Sequence, residues 1–206
     1  MGAPTPDRAQ FAFAPCPELA GDRRRHTVAI VGAGPVGLTA AVDPALHGVQ
    51  VVLIDGKSDL SDGSRAICWA KRSLEICGRL GIGQQLVDQG VTWNEGEVFH
   101  GDRLIYSFNL LPEPDHNRPA FINLQQFHFE QRMIERARDL PQIELRWQHQ
   151  AGDVTMFDDH AELTVTTPEG DYTLECDWLL ACDGVRSRIR QSLGSIFPGG
   201  CSRTDF

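Results

Sequence analysis

The first pattern in the chain that could bind a cofactor is a turn of three glycines with the spacing Gly-x-Gly-x-x-Gly. Gly32, Gly34 and Gly37 follow the apolar run 28–31 and precede a run of small residues. In such a turn the first glycine permits a sharp reversal after a strand, the second lets the backbone approach a pyrophosphate, and the third lets a helix pack on the strand. The N-terminus of that helix favours an anion. The turn, which includes Ala33, therefore predicts a dinucleotide site.

An acidic residue follows at the spacing that a ribose contact requires. Asp55 ends the run 49–55, whose Val, Leu and Ile residues are typical of a parallel strand that is covered on both faces. A carboxylate at this position accepts hydrogen bonds from ribose hydroxyl groups and repels the 2′-phosphate of NADP. NAD and FAD both contain this ribose, so the glycine turn and Asp55 leave both dinucleotides open.

The elements that position these residues are a strand at 27–31, a helix from near Pro35 into the 40s, and a strand at 49–55. Together they form a right-handed βαβ unit. Pro44 lies inside the predicted helix, where it cannot donate a hydrogen bond to the carbonyl of Ala40. We expect Pro44 to kink the helix or to end it early.

Further along the chain, segments whose apolar residues have helical spacing are followed by segments in which apolar and polar residues alternate, as in strands. Helices are predicted at 70–80, before Gly81, and within 124–140. Strands are predicted in 91–110, at 143–147, in a hairpin between 151 and 177 that turns at the sequence TPEGD, and at 177–184. The pattern as a whole predicts an α/β fold.

Composition excludes several classes of function. The net charge is −9 at pH 7, which argues against nucleic-acid and anionic-membrane partners. No apolar run is long enough to span a membrane. The six cysteines form no Cys-x-x-Cys pair, and we expect a cytoplasmic protein without a metal site. No pattern indicates a Ser-His-Asp triad or a carboxylate pair, so the catalytic residues are unknown.

A second motif, DWLLACDGVRSRIRQSLG at residues 177–194, resembles the Asp-Gly signature of the flavoprotein aromatic hydroxylases. These single-component FAD monooxygenases include para-hydroxybenzoate and 3-(3-hydroxyphenyl)propionate hydroxylases. The segments GAGPVGLTAA, SDGSRAI, RSLEICGRLG and INLQQF are similar to the same family, most closely to its hydroxyphenylpropionate branch. The resemblance covers about residues 27–195. It implies a glutathione-reductase-like, FAD-binding Rossmann domain with an inserted antiparallel β segment, NAD(P)H as co-substrate, and hydroxylation of a small aromatic substrate.

The resemblance also implies roles for individual residues. The glycines hold the FAD pyrophosphate, Asp55 holds the adenosine ribose, and Arg65 reaches the pyrophosphate. Gln126 contacts FAD, with Gln125 as the adjacent alternative, and the Asp-Gly motif lies near the pyrophosphate and also serves NAD(P)H. The implied FAD contacts are Gly32, Ala33, Gly34, Gly37, Asp55, Arg65, Gln126, Asp183 and Gly184.

The domain boundaries follow from the same comparison of motifs. We expect an irregular N-terminal arm at 1–26, an FAD-binding domain at 27–91 and 115–196, and a β segment of the substrate domain at 92–114. Residues 197–206 form a tail without family character, for which a shifted reading frame is one explanation. Family members are longer, so we expect an incomplete form. Two alternatives stay open: a nicotinamide-dependent Rossmann dehydrogenase, and a catalytically inactive FAD-binding fragment.

Overall fold

The computed structural model describes residues 10–60 and 66–195, and it confirms the predicted α/β fold. The strands are β1 (Arg25–Val31), β2 (Val51–Asp55), β3 (Cys68–Ala70), β4 (Val91–Trp93), β5 (Glu95–His100), β6 (Arg103–Asn109), β7 (Phe121–Asn123), β8 (Ile143–Trp147), β9 (Gln150–Met156), β10 (Ala161–Thr167) and β11 (Gly170–Ala181). The helices are α1 (Pro35–Ala45), α2 (Lys71–Arg79), α3 (Gly83–Gln89), α4 (Gln126–Arg138) and α5 (Arg188–Ser192), preceded by a 3₁₀ helix at Pro17–Ala20. None of these helices in the described ranges is both long enough and apolar enough to cross a lipid bilayer.

A six-stranded sheet in the order β8-β2-β1-β11-β10-β9 organises the fold. The first four strands are parallel, and β10 and β9 continue the sheet in antiparallel fashion. The sequence predicts a hairpin strand and a separate strand at 177–184, whereas the structure has one continuous strand, β11. Its first half pairs with β10 and its second half pairs with β1, so β11 joins the two parts of the sheet.

Two apolar cores cover the two faces of the parallel strands. Ile30 and Leu53 face a core that α1 and α4 close, while Val31 and Ile54 face a second core that β9, β10 and β11 close. All four side chains are buried. Burial on both faces explains why β1 and β2 are continuous apolar runs rather than alternating ones.

Residues 10–20, within the predicted N-terminal arm, pack into the protein interior. Phe11 belongs to the first core and Cys16 to the second. The 3₁₀ helix at Pro17–Ala20 places Glu18 in the interior, where its side chain is 1 % exposed. These residues make separate long-range contacts, so they show no periodicity that a sequence pattern could reveal.

Glu18 forms a buried ion pair that links the N-terminal residues to the sheet. Its Oε1 lies 3.1 Å from a guanidinium nitrogen of Arg146 and 2.7 Å from Nε2 of His26. Burial raises the pKa of the Glu18 carboxyl, but the hydrogen bonds from His26 and Arg146 outweigh burial and lower the pKa to about 2. The Arg146 guanidinium also contacts Glu144 and the hydroxyl of Tyr172.

Two smaller sheets lie outside the main one. Strands β3, β7 and β4 form one, and the hairpin β5-β6 forms the other. Apolar side chains on both faces of the hairpin are exposed, among them Phe99, Ile105 and Tyr106. The hairpin falls within the segment 92–114, whose assignment to a substrate domain stays a prediction.

Pro44 lies in the last turn of α1, which ends one residue later at Ala45. The carbonyl of Pro44 accepts hydrogen bonds from the backbone N–H groups of His47 and Val49, which close the end of the helix. The helix therefore accommodates Pro44 at its C-terminal end. The one hydrogen bond that it loses to proline is the bond that a backbone N–H at position 44 would donate to the carbonyl of Ala40.

Replacing Pro44 with Ala is expected to stabilise the protein by about 1–2 kcal/mol, because it restores that donor in a helical position. The gain is smaller than the ~3 kcal/mol expected at a helix centre, since an alanine also leaves the unfolded chain more flexible. Urea unfolding measures it. Pro35→Ala is the matched control, because proline is favourable at the first helical position and its loss should bring no gain. A lower stability of Pro44→Ala would contradict the prediction.

Replacing Glu18 with Gln is expected to lower the free energy of unfolding at pH 7 by about 3 kcal/mol, because it removes one partner of a buried ion pair. The folded-state pKa is lowered from 4.5 to about 2, so the stability from ionised Glu18 is present above pH 4.5 and is lost as the pH falls towards 2. Unfolding measured against pH should show a weaker acid loss in Glu18→Gln than in the wild type.

Glu169 is the control for that experiment, since it lies exposed in the β10-β11 turn. Glu169→Gln removes the same charge and should retain the acid loss of the wild type. Equal pH dependence of Glu18→Gln and the wild type would contradict the role of Glu18.

Candidate cofactor-binding cleft

A cleft of about 350 Å³ opens at the carboxyl edge of the parallel strands. Ligands of open α/β sheets bind at this edge, because the loops that leave parallel strands meet there. Residues from the ends of β1, β2, β8 and β11 converge on it, together with the start of α1 and α4. The lining residues are Val31, Gly32, Gly34, Pro35, Val36, Ile54, Asp55, Gly56, Lys57, Gln126, His149, Gln150, Ala151, Cys182, Asp183 and Gly184.

The glycine turn brings the N-terminus of α1 against the end of β1. Gly32 has a φ of +102°, and a Cβ atom there would lie 2.6 Å from the carbonyl oxygen of Cys182. A Cβ atom on Gly37 would lie 1.8 Å from the carbonyl oxygen of Gly32. Both positions therefore require glycine for the packing of the protein itself.

Gly34 is different, because it faces open space. It is the N-cap residue of α1, and a Cβ atom there would have no described atom within 4 Å. Its φ of −83° suits any residue, so backbone strain does not explain the glycine. The open space lies beside the first N–H groups of α1, where an anion binds well.

Asp55 organises the turn through both of its carboxylate oxygens. Oδ2 accepts a hydrogen bond of 2.7 Å from the backbone N–H of Ala33, and Oδ1 accepts one of 2.9 Å from that of Lys57. Each oxygen retains a second lone pair. Asp55 can therefore hold the turn and still accept hydrogen bonds from a ligand.

Asp183 has a buried oxygen that the described protein leaves unpaired. Oδ2 accepts hydrogen bonds from the backbone N–H groups of Arg188 and Ile189, at 2.7 and 3.3 Å. Oδ1 is buried and has no hydrogen-bond partner among the described residues. Gly184 follows at a φ of +79°, in the left-handed region that favours glycine, and also lines the cleft. An unpaired buried acceptor is unfavourable unless a ligand or water supplies a donor.

Gln126 also lines the cleft, at the first turn of α4. Its side chain is buried and donates a hydrogen bond of 2.7 Å to Oε1 of Glu130. Gln125, the adjacent alternative, is exposed and is the N-cap of the helix, and it does not border the cleft. The geometry therefore favours Gln126 over Gln125.

Among the lining residues that belong to no sequence motif, three have polar side chains: Lys57, His149 and Gln150. His149 is fully buried, which lowers the pKa of its imidazole, and its Nδ1 lies 2.9 Å from the hydroxyl of Tyr172. His149 and Gln150 follow β8, whose carboxyl end borders the cleft. The rule that ligands bind at the carboxyl ends of parallel strands could have identified them.

Six of the residues that the sequence predicts as cofactor contacts meet in this cleft: Gly32, Gly34, Asp55, Gln126, Asp183 and Gly184. Gly37 packs behind it, and Ala33 reaches it through its hydrogen bond to Asp55. Arg65 lies outside the described residues. The donor and acceptor set suits a dinucleotide: a helix N-terminus for phosphates, and carboxylates for hydroxyl groups. The contact of each residue with a cofactor stays a prediction.

The chain matches the model of a known protein family. The family model described as "FAD binding domain" matches residues 25–206. This range includes residues 197–206, which the sequence motifs set apart as a tail and which lie outside the described residues.

Among the proteins similar to the chain are two relatives named as oxygenases and one solved structure. Para-nitrophenol 4-monooxygenase of a Pseudomonas species is 29 % identical over 84 % of this chain and 43 % of that protein. A 3-(3-hydroxy-phenyl)propionate/3-hydroxycinnamic acid hydroxylase of Klebsiella pneumoniae is 30 % identical over 85 % of this chain and 32 % of that protein. The crystal structure of p-nitrophenol 4-monooxygenase from Pseudomonas putida matches with a TM-score of 0.77 and 29 % identity, over 82 % of this chain and 44 % of that one.

The chain thus spans less than half the length of the relatives that it matches. Identities of 29 % and 30 % do not separate the nitrophenol branch from the hydroxyphenylpropionate branch.

Substituting alanine at two glycines of the turn should separate folding from binding. Gly34→Ala is expected to leave the unfolding midpoint unchanged but to weaken FAD binding, because its methyl group occupies the space beside the helix N-terminus. Gly37→Ala is expected to destabilise the fold by about 3 kcal/mol or more, because its methyl group overlaps the Gly32 carbonyl. Thermal unfolding and FAD titration measure the two effects. Unchanged FAD affinity in Gly34→Ala would contradict the close approach of a ligand at Gly34.

Proposed function

The chain belongs to the family of FAD-binding domains, and we propose that it holds the ADP portion of FAD in an FAD-dependent monooxygenase that hydroxylates a phenolic compound. The observation that supports this most directly is the cleft at the carboxyl edge of the sheet. It brings a helix N-terminus, the Asp55 carboxylate and the unpaired Oδ1 of Asp183 to one place.

Different residues of the cleft would bind different parts of FAD. The N-terminus of α1, beside Gly34, would hold the pyrophosphate through backbone N–H groups and the helix dipole. Asp55 would accept hydrogen bonds from the adenosine ribose through its remaining lone pairs. Asp183 would accept a hydrogen bond from a hydroxyl group of the cofactor at its unpaired oxygen, and Gln126 would border the cofactor from α4.

FAD, when bound, supplies the redox chemistry by which such enzymes use NAD(P)H and O₂ to hydroxylate an aromatic ring. The contribution of the described residues is binding and orientation. The names of the relatives, a nitrophenol monooxygenase and a hydroxyphenylpropionate hydroxylase, support a phenolic substrate. The match to a model of FAD binding favours this function over a nicotinamide-dependent dehydrogenase.

A second candidate is a chain that binds FAD without hydroxylating. The chain spans less than half of its relatives, and the β5-β6 hairpin exposes Phe99, Ile105 and Tyr106 to solvent. Incubation with FAD, NAD(P)H, O₂ and simple phenols distinguishes the two candidates. NAD(P)H oxidation that depends on the phenol and yields a hydroxylated product supports the monooxygenase. Binding of FAD without that turnover supports the second candidate.

We also propose a cytoplasmic location. The five cysteines in the described ranges are free thiols, which suits a reducing compartment. Burial raises the pKa of Cys77 and Cys176 to about 11, so both remain protonated at neutral pH. No disulfide stabilises these parts of the fold.

FAD is expected to bind more tightly than NAD, and Asp55→Asn is expected to weaken FAD binding by roughly ten- to a hundred-fold. The reason is the loss of charge-assisted hydrogen bonds to the ribose, each worth about 1.5–3 kcal/mol. Asparagine retains one oxygen to accept from a backbone N–H, so it disturbs the turn less than alanine would. Flavin fluorescence measures FAD binding, and calorimetry measures NAD binding.

Asp171→Asn is the control, because Asp171 is an exposed carboxylate in β11 that does not line the cleft. It removes the same charge and should leave FAD affinity unchanged. Tighter binding of NAD than of FAD would contradict the proposed function, and so would the absence of FAD binding.

A further inference from the structure

We propose that the N-terminal segment, residues 10–20, is a positioning element of the cofactor cleft. It holds the loop 56–60, which follows Asp55, in the arrangement that borders the adenosine part of FAD. The proposal rests on the proposed function, because it assigns the segment a role at the same cleft. The segment precedes residues 25–206, the part of the chain that matches the FAD-binding family.

The segment pairs directly with the backbone of the loop. The N–H of Phe11 donates a hydrogen bond of 2.7 Å to the carbonyl oxygen of Ser58. Gln10 and Asp59 form an isolated antiparallel β-bridge. Residues 10 and 11 thus add a short piece of strand pairing to a loop that would otherwise leave the sheet after β2.

A second set of contacts fixes the other side of the loop. The N–H of Gln148 donates to the carbonyl oxygen of Lys57, and the side-chain amide of Gln148 donates to the carbonyl oxygen of Phe11, both at 3.1 Å. The ring of Phe11 stacks on Trp147 with 4.1 Å between ring centroids. The loop is therefore held between the N-terminal segment and the residues that follow β8.

The segment also supports the wall of the cleft at His149. The ring of Phe13 stacks on His149 at 5.3 Å, and the carbonyl oxygen of Ala14 lies 3.1 Å from Nε2 of His149. The backbone N–H of His149 donates to the carbonyl oxygen of Asp55, at 3.0 Å. One residue of the wall thus connects the segment to the end of β2, where the ribose contact is proposed.

The far end of the segment is anchored in the protein interior. Glu18 pairs with Arg146 in the core, and Cys16 is buried in the second apolar cluster. Residues 11 and 18 are both buried, so the stretch between them is fixed at two points. None of the residues 10–20 lines the cleft, so the segment acts through the loop and through His149 rather than by touching the ligand.

A positioning role differs in its consequences from a purely structural one. Loss of a purely structural contact lowers the unfolding midpoint and leaves the ligand affinity of the folded protein unchanged. Loss of a positioning contact lowers the affinity for the ligand even at a temperature where the variant is still folded. The reason is that the loop has the binding-competent arrangement in a smaller fraction of the folded molecules. If the correct arrangement falls to about a tenth of the molecules, the apparent Kd rises about ten-fold.

The test compares Phe11→Ala with Leu86→Ala in the full chain. Both residues are buried in the same apolar cluster, but Leu86 lies in α3 and does not border the cleft. Each variant should lose a similar amount of stability, seen as a similar fall of the unfolding midpoint. FAD affinity by flavin fluorescence and ADP affinity by calorimetry are measured below the unfolding midpoint of each protein.

Phe11→Ala is expected to raise the Kd for FAD and for ADP about ten-fold, whereas Leu86→Ala leaves both unchanged. ADP responds because the loop lies on the adenosine side of the cleft. Phe11→Tyr keeps a ring against Trp147 and should restore both affinities. If Phe11→Ala does not fold, Phe13→Ala replaces it, since Phe13 is only half-buried and contacts His149 directly.

The outcomes separate this inference from the proposed function. A wild-type chain that binds neither FAD nor ADP would overturn the proposed function. A wild-type chain that binds FAD, together with Phe11→Ala or Phe13→Ala variants of equal affinity, would overturn the positioning role. Equal losses of affinity in Phe11→Ala and Leu86→Ala would also overturn it, because the effect would then follow stability alone.

Discussion

The contact between α1 and the end of β1 is the constraint on which the rest of the structure depends. A Cβ atom at Gly37 would lie 1.8 Å from the carbonyl oxygen of Gly32, so the helix packs directly against the turn. This contact places the N-terminus of α1 beside the ends of the parallel strands. The proposed anion site beside Gly34 depends on Gly32 and Gly37, because these two glycines allow that approach.

The order of strands then decides which residues meet the helix N-terminus. With β1 between β2 and β11, the residues that follow the three strands come to one edge. Asp55 and Asp183 lie far apart in sequence but are neighbours of the same turn. Asp55 uses two hydrogen bonds to hold the turn, whereas Asp183 keeps one buried oxygen unpaired. The Asp55 carboxylate is therefore a structural residue as well as a proposed binding residue, and the unpaired oxygen of Asp183 remains able to accept a hydrogen bond from a ligand.

The sequence predicts those features that have a local pattern. The glycine turn, Asp55 and the Asp-Gly motif each combine a residue type with a neighbouring strand or helix, and the structure brings all three to one cleft. Helix α3 has no such signal, because seven residues are too few for a helical period to be recognised. The contacts of the N-terminal residues are missed for a different reason. Phe11 and Trp147 are 136 positions apart, so no pattern within either segment reports their contact.

The role proposed for residues 10–20 would extend the cofactor site beyond the motifs that identify it. The motifs specify a helix N-terminus and two carboxylates, but they leave the loop after Asp55 undetermined. That loop is polar and exposed from Gly56 to Asp59, and Leu60 at its far end is the only one of its side chains that is buried in the apolar core. Apolar burial therefore does not fix residues 56–59. Backbone hydrogen bonds from Phe11 and Gln148 supply the missing constraint, and both donors depend on aromatic packing around Trp147. The precision of a site built on strand ends is thus limited by the least anchored loop at its edge.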